Sequence, residues 1–368
     1  MDGDYETEET VDELVTVSPE LVEKVRSVLS EYFDKLGDAI IAEQEKVEFA
    51  EIGKLEGIKP IIPKIYAAVD GGSNILTLNV GNIGFCASVG IIISREQILK
   101  KKISSPEIIP SQIREIIDFT DDKMVRDILD RLREAKVFEV AKEIVLNENI
   151  ELVVVDGPLM PPGAIIPPHK KISEQSTIGR YLIAAFKRYR KAIKALFKVA
   201  KSKEVSVVGF VKRPHSKILG IVYNRDWRMY DHIMLSKIIK PHEFFPNKPV
   251  DYPITTKWEP SKEYEELVKE LNVKFLYLRT VESAPPFRVD FGPIFVDFKK
   301  ILAFLVATAT SDGIPFGVLK ADEETKMGAQ LVRELHEDLV HEFLRRLVEK
   351  GEDITTVIDI LGIYGGML

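Results

Sequence analysis

Two short stretches decide the fold of this chain: residues 66–73 (YAAVDGGS) and residues 152–158 (LVVVDGP). Each contains a short run of apolar residues that ends in an aspartate followed by glycine. Apolar runs of this length are typical of strands buried on both faces, and Asp-Gly ends such a run because it favours a turn. The pattern predicts two buried strands, each with a carboxylate at its end, Asp70 on the first and Asp156 on the second.

These two carboxylates have a functional and a structural interpretation. A carboxylate at a strand end is held rigidly while its oxygens reach a cleft, and a neighbouring glycine leaves room for a phosphate or a metal ion. Two such aspartates on adjacent strands would form a hard-oxygen site suited to Mg²⁺ or Mn²⁺. The alternative is that each Asp-Gly pair only begins a turn.

Outward from these strands, the spacing of apolar residues changes between strand and helix. Residues 75–78 and 85–89 predict a continued strand and its hairpin partner. Helical spacing is found at about 18–36, 122–146, 174–202, 261–271, 295–310 and 323–350. Further strands are predicted near 205–212, 273–280 and 287–291. This order predicts an α/β fold with a mixed β-sheet core flanked by helices and with helical additions at both ends.

The composition excludes several classes of protein. The chain has 368 residues, 45% of them hydrophobic, with a net charge of −7, and its single cysteine, Cys86, excludes an internal disulfide framework and a cysteine-rich zinc site. No apolar run is long enough to span a membrane, and the acidic start is unlike a signal peptide, so a cytoplasmic protein is expected. The many charges of mixed sign are typical of thermophile proteins. No P-loop, GxGxxG or GxSxG motif is present.

Positive charge is concentrated on the long predicted helix near 174–202. Between residues 175 and 203 it carries nine basic residues and no acidic ones, with aromatic residues interleaved. Such a stripe could neutralise phosphates, or it could be the solvated face of an amphipathic helix. Residues 211–217 (VKRPHSK) form a second basic cluster directly after a strand, which is suitable for contacts to a nucleic-acid backbone.

A third carboxylate, Glu139, lies on the helix that precedes the second Asp-Gly motif. Its position is next to the buried stripe formed by Val137, Val140 and Ile144. From there it could face a metal held by the two strand-end aspartates. It could equally be an ordinary solvated glutamate.

The order of these motifs resembles the NurA family of DNA-end-processing nucleases. The resemblance rests on residues 66–73, Glu139 and residues 154–159, and it continues in residues 208–213, 287–291 and 314–316. It extends from about residue 64 to 345. The expected domains are an acidic flexible tail (1–17), an N-terminal helical region (18–62), an RNase H-like nuclease domain (63–350) with an insertion around 224–262, and an apolar tail (351–368).

The resemblance implies an activity, cofactors and partners. It implies a homodimer that degrades DNA in the 5′–3′ direction and cuts single strands, using Mn²⁺ or Mg²⁺, in DNA-break end resection with a HerA-type hexameric ATPase. Asp70, Glu139 and Asp156 match the metal-binding acids of the family. The expected DNA-contacting residues are Lys212, Arg213, Ser216, Arg180, Lys187, Arg188 and Arg288.

The sequence departs from the family at two positions. The family has a tyrosine at the position of Ile314 and a histidine at the position of Asp322. Asp322 could still ligate a metal because carboxylates suit Mn²⁺. We expect Asp70, Glu139, Asp156 and Asp322 to hold two ions for phosphodiester hydrolysis.

Two other functions are compatible with these residues. The loss of the tyrosine and the histidine would suit a non-catalytic DNA-binding subunit of a translocase. Residues 70–74 (DGGSN) also resemble the phosphate-binding hairpin of actin-like and sugar-kinase ATPases, although no adenosine-binding glycine motif accompanies them.

Overall fold

The computed structural model describes residues 18–44, 51–78, 80–94, 97–160, 176–224, 229–253 and 262–326, with scattered positions between 334 and 351. The predicted acidic tail, most of the predicted helix at 323–350 and nearly all of the apolar tail lie outside the described residues. The chain divides into two compact units, Met1–Glu48 and Phe49–Leu368.

The described residues contain ten strands and eight α-helices. The strands are β1 (Gly53–Lys54), β2 (Tyr66–Leu78), β3 (Gly81–Ser94), β4 (Gln97–Ile103), β5 (Glu107–Ile109), β6 (Leu152–Asp156), β7 (Ser206–Val211), β8 (Glu243–Asp251), β9 (Lys274–Leu278) and β10 (Phe287–Phe291). The helices are α1 (Pro19–Gln44), α2 (Asp122–Asn147), α3 (Thr177–Lys203), α4 (Ile218–Val222), α5 (Asp231–Leu235), α6 (Lys262–Leu271), α7 (Phe298–Ala307) and α8 (Phe316–Thr325).

All ten strands form one mixed sheet, which confirms the predicted α/β fold class. The order is β1-β8-β9-β10-β7-β6-β2-β3-β4, and β5 pairs with β3. The β2–β6 and β6–β7 pairs are parallel, whereas the other pairs are antiparallel. The predicted hairpin is confirmed, since β2 and β3 pair along their whole length. The parallel strands carry the two Asp-Gly motifs at the centre of the sheet.

Helices cover both faces of this centre. On one face, α2 packs on β2 and β3 and also on α3. Asp121 caps α2 by accepting a hydrogen bond from the Met124 amide, and Ser176 caps α3 through the Gly179 amide, as expected for these residue types. On the other face, apolar side chains of α7 and α8 join a buried apolar cluster together with residues of β2, β3, β6 and β10.

The two glycines after Asp70 allow α2 and α8 to approach β2 closely. A Cβ on Gly71 would lie 2.8 Å from a methyl group of Val137 on α2. A Cβ on Gly72 would lie 2.0 Å from the backbone oxygen of Thr325 on α8. Each glycine therefore admits one helix, because neighbouring residues on a strand face opposite sides of the sheet. Protein atoms therefore occupy the space next to Gly71 and Gly72 in which a phosphate was expected to fit.

Two other regions differ in detail from the expectation. The described part of residues 224–262 contains α5 and β8, and β8 pairs with β1 and β9. This part of the expected insertion is therefore built into the sheet. The helix α8 begins at Phe316, several residues before the predicted helix at 323–350, with Pro315 at its N-cap, and the described positions between 334 and 350 are also helical.

The first unit contains α1, which continues to Gln44, beyond its predicted end near residue 36. Leu21, Val25, Leu29 and Phe33 repeat at helical spacing and are exposed. No helix in the described ranges combines the length and apolarity that a membrane span requires.

Candidate metal centre

Three aspartates meet at the centre of the sheet. Asp70 lies within β2 and Asp156 ends β6, and the parallel register that pairs Val69 with Val155 makes the two aspartates neighbours. Asp322 comes from α8, which packs against β2, β3 and β6. One carboxylate oxygen from each aspartate lies within 4.8 Å of the others. We call Asp70, Asp156 and Asp322 the acid cluster; they are three of the four predicted metal ligands.

The side chain of Lys212, which follows β7, bridges two members of the acid cluster. Its Nζ lies 2.6 Å from Oδ2 of Asp156 and 2.7 Å from Oδ1 of Asp322. Thr325, one turn after Asp322, donates a hydrogen bond of 2.7 Å from its Oγ1 to Oδ2 of Asp70. The Lys212 ammonium thus lies between two carboxylates of the acid cluster, and the Thr325 hydroxyl orients the third carboxylate, that of Asp70.

Burial makes the acid cluster electrostatically costly. The side chain of Asp156 is 7% exposed, and this burial, together with the nearby charge of Asp70, raises its pKa to about 7. Burial also raises the pKa of Asp70, against the hydrogen bond from Thr325. The pKa of Asp322 is lowered instead. Burial alone would raise it, but the hydrogen bonds from Lys212 and Lys326 together outweigh that effect. Repulsion between ionised carboxylates is relieved by a bound cation, so this donor set fits a hard divalent ion.

Glu139, the fourth predicted ligand, has a different partner. Its two oxygens each accept a hydrogen bond of 2.8 Å from the Arg188 guanidinium, which also contacts Glu107 at 2.6 Å. Among the described residues, the group with metal-ligating geometry contains the three aspartates and not Glu139. The role of Glu139 as a ligand stays a prediction, and the structure places it in an ion pair between α2 and α3.

The predicted DNA-contacting residues fall into two groups. Arg213 is exposed directly after Lys212, and Arg180 and Lys187 are exposed on α3. Lys212 and Arg188 are engaged by carboxylates, as described above. The exposed residues have the access that a phosphate contact requires.

Arg288 and Ser216 belong to a buried network instead. Arg288 is 3% exposed, and its Nε donates to Oδ1 of Asp290 at 2.9 Å. Its Nη1 reaches the Ser216 hydroxyl at 3.3 Å, and this hydroxyl lies 3.0 Å from that of Tyr277. The prediction that Arg288 contacts DNA is corrected here, because its guanidinium is buried on the sheet.

Asp290 was part of the family resemblance but received no role from the sequence, and Thr325 was not singled out. Asp290 is fully buried, and its Oδ2 accepts a hydrogen bond of 3.0 Å from the amide of Leu159, three residues after Asp156. Arg288 and Asp290 are two residues apart on a strand and so share one face, but this spacing does not show that the face is buried. Ile314, at the position where the resemblance implies a tyrosine, packs against a cluster of buried apolar residues.

Comparisons with known proteins identify the family. A sequence comparison with curated proteins gives no match. The NurA domain family matches residues 64–327, well over half of the chain. The structure of the NurA nuclease from Sulfolobus solfataricus aligns over 90% of this chain and 98% of its own, with a TM-score of 0.60 and 16% identity.

A structure of NurA bound to dAMP and manganese is also similar in fold. It covers 88% of this chain and 97% of its own length, with a TM-score of 0.50 and 11% identity. The fold, the order of the motifs and the family match agree over the same residues. The chain belongs to the NurA family.

Proposed function

We propose that this protein is a metal-dependent DNA nuclease whose active site is the acid cluster. The observation that carries the proposal is the convergence of three carboxylates, from β2, β6 and α8, on one point beside a lysine. Such a set of oxygen donors suits Mn²⁺ or Mg²⁺. A structure of another NurA protein is described as containing manganese and dAMP, which supports the same chemistry here.

Asp70, Asp156 and Asp322 would hold the metal, and Glu139 would join them if it left Arg188. A divalent ion in such a site lowers the pKa of a bound water and neutralises charge on a phosphodiester. Lys212, released from its two carboxylates by the incoming cation, would be free to contact a phosphate. Arg213, Arg180 and Lys187 would bind the backbone, so binding should weaken steeply as salt increases.

The finer details of the proposal rest on family membership. We propose 5′–3′ exonuclease and single-strand endonuclease activities in DNA-break end resection, with two bound ions. A HerA-type hexameric ATPase is the proposed partner and a homodimer in the cytoplasm the proposed state.

The proposal is tested by cleavage of end-labelled single-stranded DNA in the presence of Mn²⁺. We expect Asp156→Asn to lower the rate by about 10³-fold, since a metal supplies several kcal/mol and about 1.4 kcal/mol is tenfold. The matched control is Asp251→Asn, an aspartate on β8 whose side chain is 75% exposed and which should cleave as the wild type does. Undiminished cleavage by Asp156→Asn would show that the site assignment is wrong.

A second candidate function is DNA binding without hydrolysis. Ile314 favours it, because this side chain packs on the buried cluster and cannot donate a hydrogen bond. In that case the wild-type protein would bind DNA but cleave it with neither Mn²⁺ nor Mg²⁺. The same assay, combined with a binding measurement, separates the two functions.

A further inference from the structure

Three aromatic rings lie together just beyond β7 and Lys212. The ring of His215 stacks on that of Tyr230, with centroids 5.2 Å apart and planes 29° apart. The ring of Tyr230 in turn stacks on that of His232, at 6.1 Å and 13°. Tyr230 is 41% exposed, His215 is exposed and His232 is half-buried. We call these three residues the ring cluster.

A buried carboxylate, that of Asp231, holds the backbone of the ring cluster in place. Asp231 separates the two cluster residues of the 230–232 segment and is fully buried. Its Oδ2 accepts hydrogen bonds from the hydroxyl of Tyr277, at 2.8 Å, and from the amide of Leu219, at 3.1 Å. Its own amide donates to the Ser216 carbonyl at 2.9 Å. These hydrogen bonds fix the backbone that carries the rings, and this lowers the entropy cost of binding a flat ligand.

The ring cluster is also close to the acid cluster. His215 is three residues after Lys212, so their Cα atoms are at most about 11 Å apart. The Nζ of Lys212 contacts Asp156 and Asp322. A strand with a phosphate at the acid cluster therefore reaches the ring cluster within a few nucleotides. The exposed Arg213 lies between Lys212 and His215 in sequence and adds positive charge.

We propose that the ring cluster is a stacking site for an unpaired nucleobase of single-stranded DNA. The inference rests on the proposed nuclease function, since it places the base of a strand whose phosphate lies at the acid cluster. Exposed aromatic faces bind bases of any sequence because every base has a π-face, and a basic groove holds the backbone beside them. Bases within a duplex are already stacked and paired, so the site would favour single strands.

The test measures binding separately from cleavage. Fluorescein-labelled oligothymidylate and an abasic tetrahydrofuran oligomer of the same length are titrated with the full chain, with Ca²⁺ replacing Mn²⁺, and anisotropy gives each Kd. We expect the wild type to bind the base-bearing oligomer more tightly than the abasic one. Tyr230→Ala should weaken binding of oligothymidylate by about tenfold and narrow its advantage over the abasic oligomer. Tyr230→Phe, which keeps the aromatic ring, should bind oligothymidylate about as tightly as the wild type does.

Tyr223→Ala is the matched control, because Tyr223 has 40% exposure and lies outside the ring cluster. It should bind both oligomers as the wild type does. A measurement on the wild type alone guards against misfolding of Tyr230→Ala: a 2-aminopurine base in the oligomer should lose fluorescence when it stacks. Equal loss of binding to both oligomers by Tyr230→Ala, or no quenching in the wild type, would overturn the proposal.

Failure of this inference is distinguishable from failure of the proposed function. If the ring cluster binds no base, Mn²⁺-dependent cleavage that requires Asp156 can still be present. If the protein cleaves no DNA, base-dependent binding can still be measured with the same oligomers.

Discussion

The acid cluster and the Arg288–Asp290 pair both bury carboxylates near the centre of one sheet, but their charges are balanced differently. Asp290 has one buried guanidinium at 2.9 Å, and the hydrogen bonds of both side chains lead to neighbouring protein groups. The acid cluster has three carboxylates and two ammonium groups: Lys212 bridges Asp156 and Asp322, and Lys326 contacts the other oxygen of Asp322 at 2.9 Å. In the Arg288–Asp290 pair, which we call the closed pair, one positive and one negative charge cancel. In the acid cluster, which we also call the open cluster, the carboxylates outnumber the cationic groups, so negative charge remains when all are ionised. This difference separates a structural ion pair from a site that can accept a metal.

The largest expected effect comes from breaking the closed pair. Asp290→Ala leaves the Arg288 guanidinium buried and without its carboxylate, which should lower the free energy of unfolding by about 3–5 kcal/mol. Urea unfolding at neutral pH measures this. The double variant Arg288→Met with Asp290→Leu removes both charges and should recover most of the loss. A single variant as stable as the wild type would contradict the structural role of the pair.

The open cluster should respond to pH in the metal-free protein. The pKa of Asp156 is about 7 in the folded chain and about 4 when unfolded, so the folded state binds more protons between these values. Stability should therefore fall by roughly 3 kcal/mol as pH rises from about 4 to 7, because the slope of about 1.4 kcal/mol per pH unit is reached only well between the two pKa values. Urea unfolding in EDTA across this range measures it, and Asp156→Asn should show a flatter dependence. If stability instead rises with pH, and Asp156→Asn abolishes that rise, then the pKa of Asp156 is lowered by folding and not raised.

Adding Mn²⁺ should stabilise the protein through the open cluster. At a concentration 100 times its Kd, a ligand that binds only the folded state adds about 2.7 kcal/mol to the free energy of unfolding. Thermal unfolding with and without Mn²⁺ measures this shift, and Asp156→Asn should reduce it. An equal shift in Asp156→Asn would place the bound ion elsewhere.

The smallest expected effect concerns the hydroxyl that orients Asp70. Thr325→Val removes the 2.7 Å hydrogen bond to Asp70 while keeping the side-chain volume. Loss of such a supporting contact should weaken Mn²⁺ binding by about tenfold, or about 1.4 kcal/mol, as measured by calorimetric titration. The matched control, Thr308→Val, removes a hydroxyl that donates to the Phe304 carbonyl within α7 and should bind Mn²⁺ normally.

Local patterns predicted much of the fold and part of the candidate site. The apolar runs before Asp70 and Asp156 indicated two buried strands, and the structure shows both in the sheet. The basic stripe was placed on a helix, which is α3. The burial of Arg288 could not be predicted in this way, because a single arginine on a strand has the same local pattern whether its side chain faces solvent or a buried acid.

The sequence by itself determined the two buried strands and the aspartates that follow their apolar runs, because residue spacing and turn chemistry act over a few neighbours. It did not predict that β2 runs unbroken through Asp70 to Leu78, or that α8 includes Asp322. Only the tertiary structure decided which charges meet. Lys212 contacts Asp322 across 110 residues, and Arg188 holds Glu139 across 49. Such pairings depend on how closely α8 and α3 pack on their neighbours, and that approach is set by contacts between distant parts of the chain.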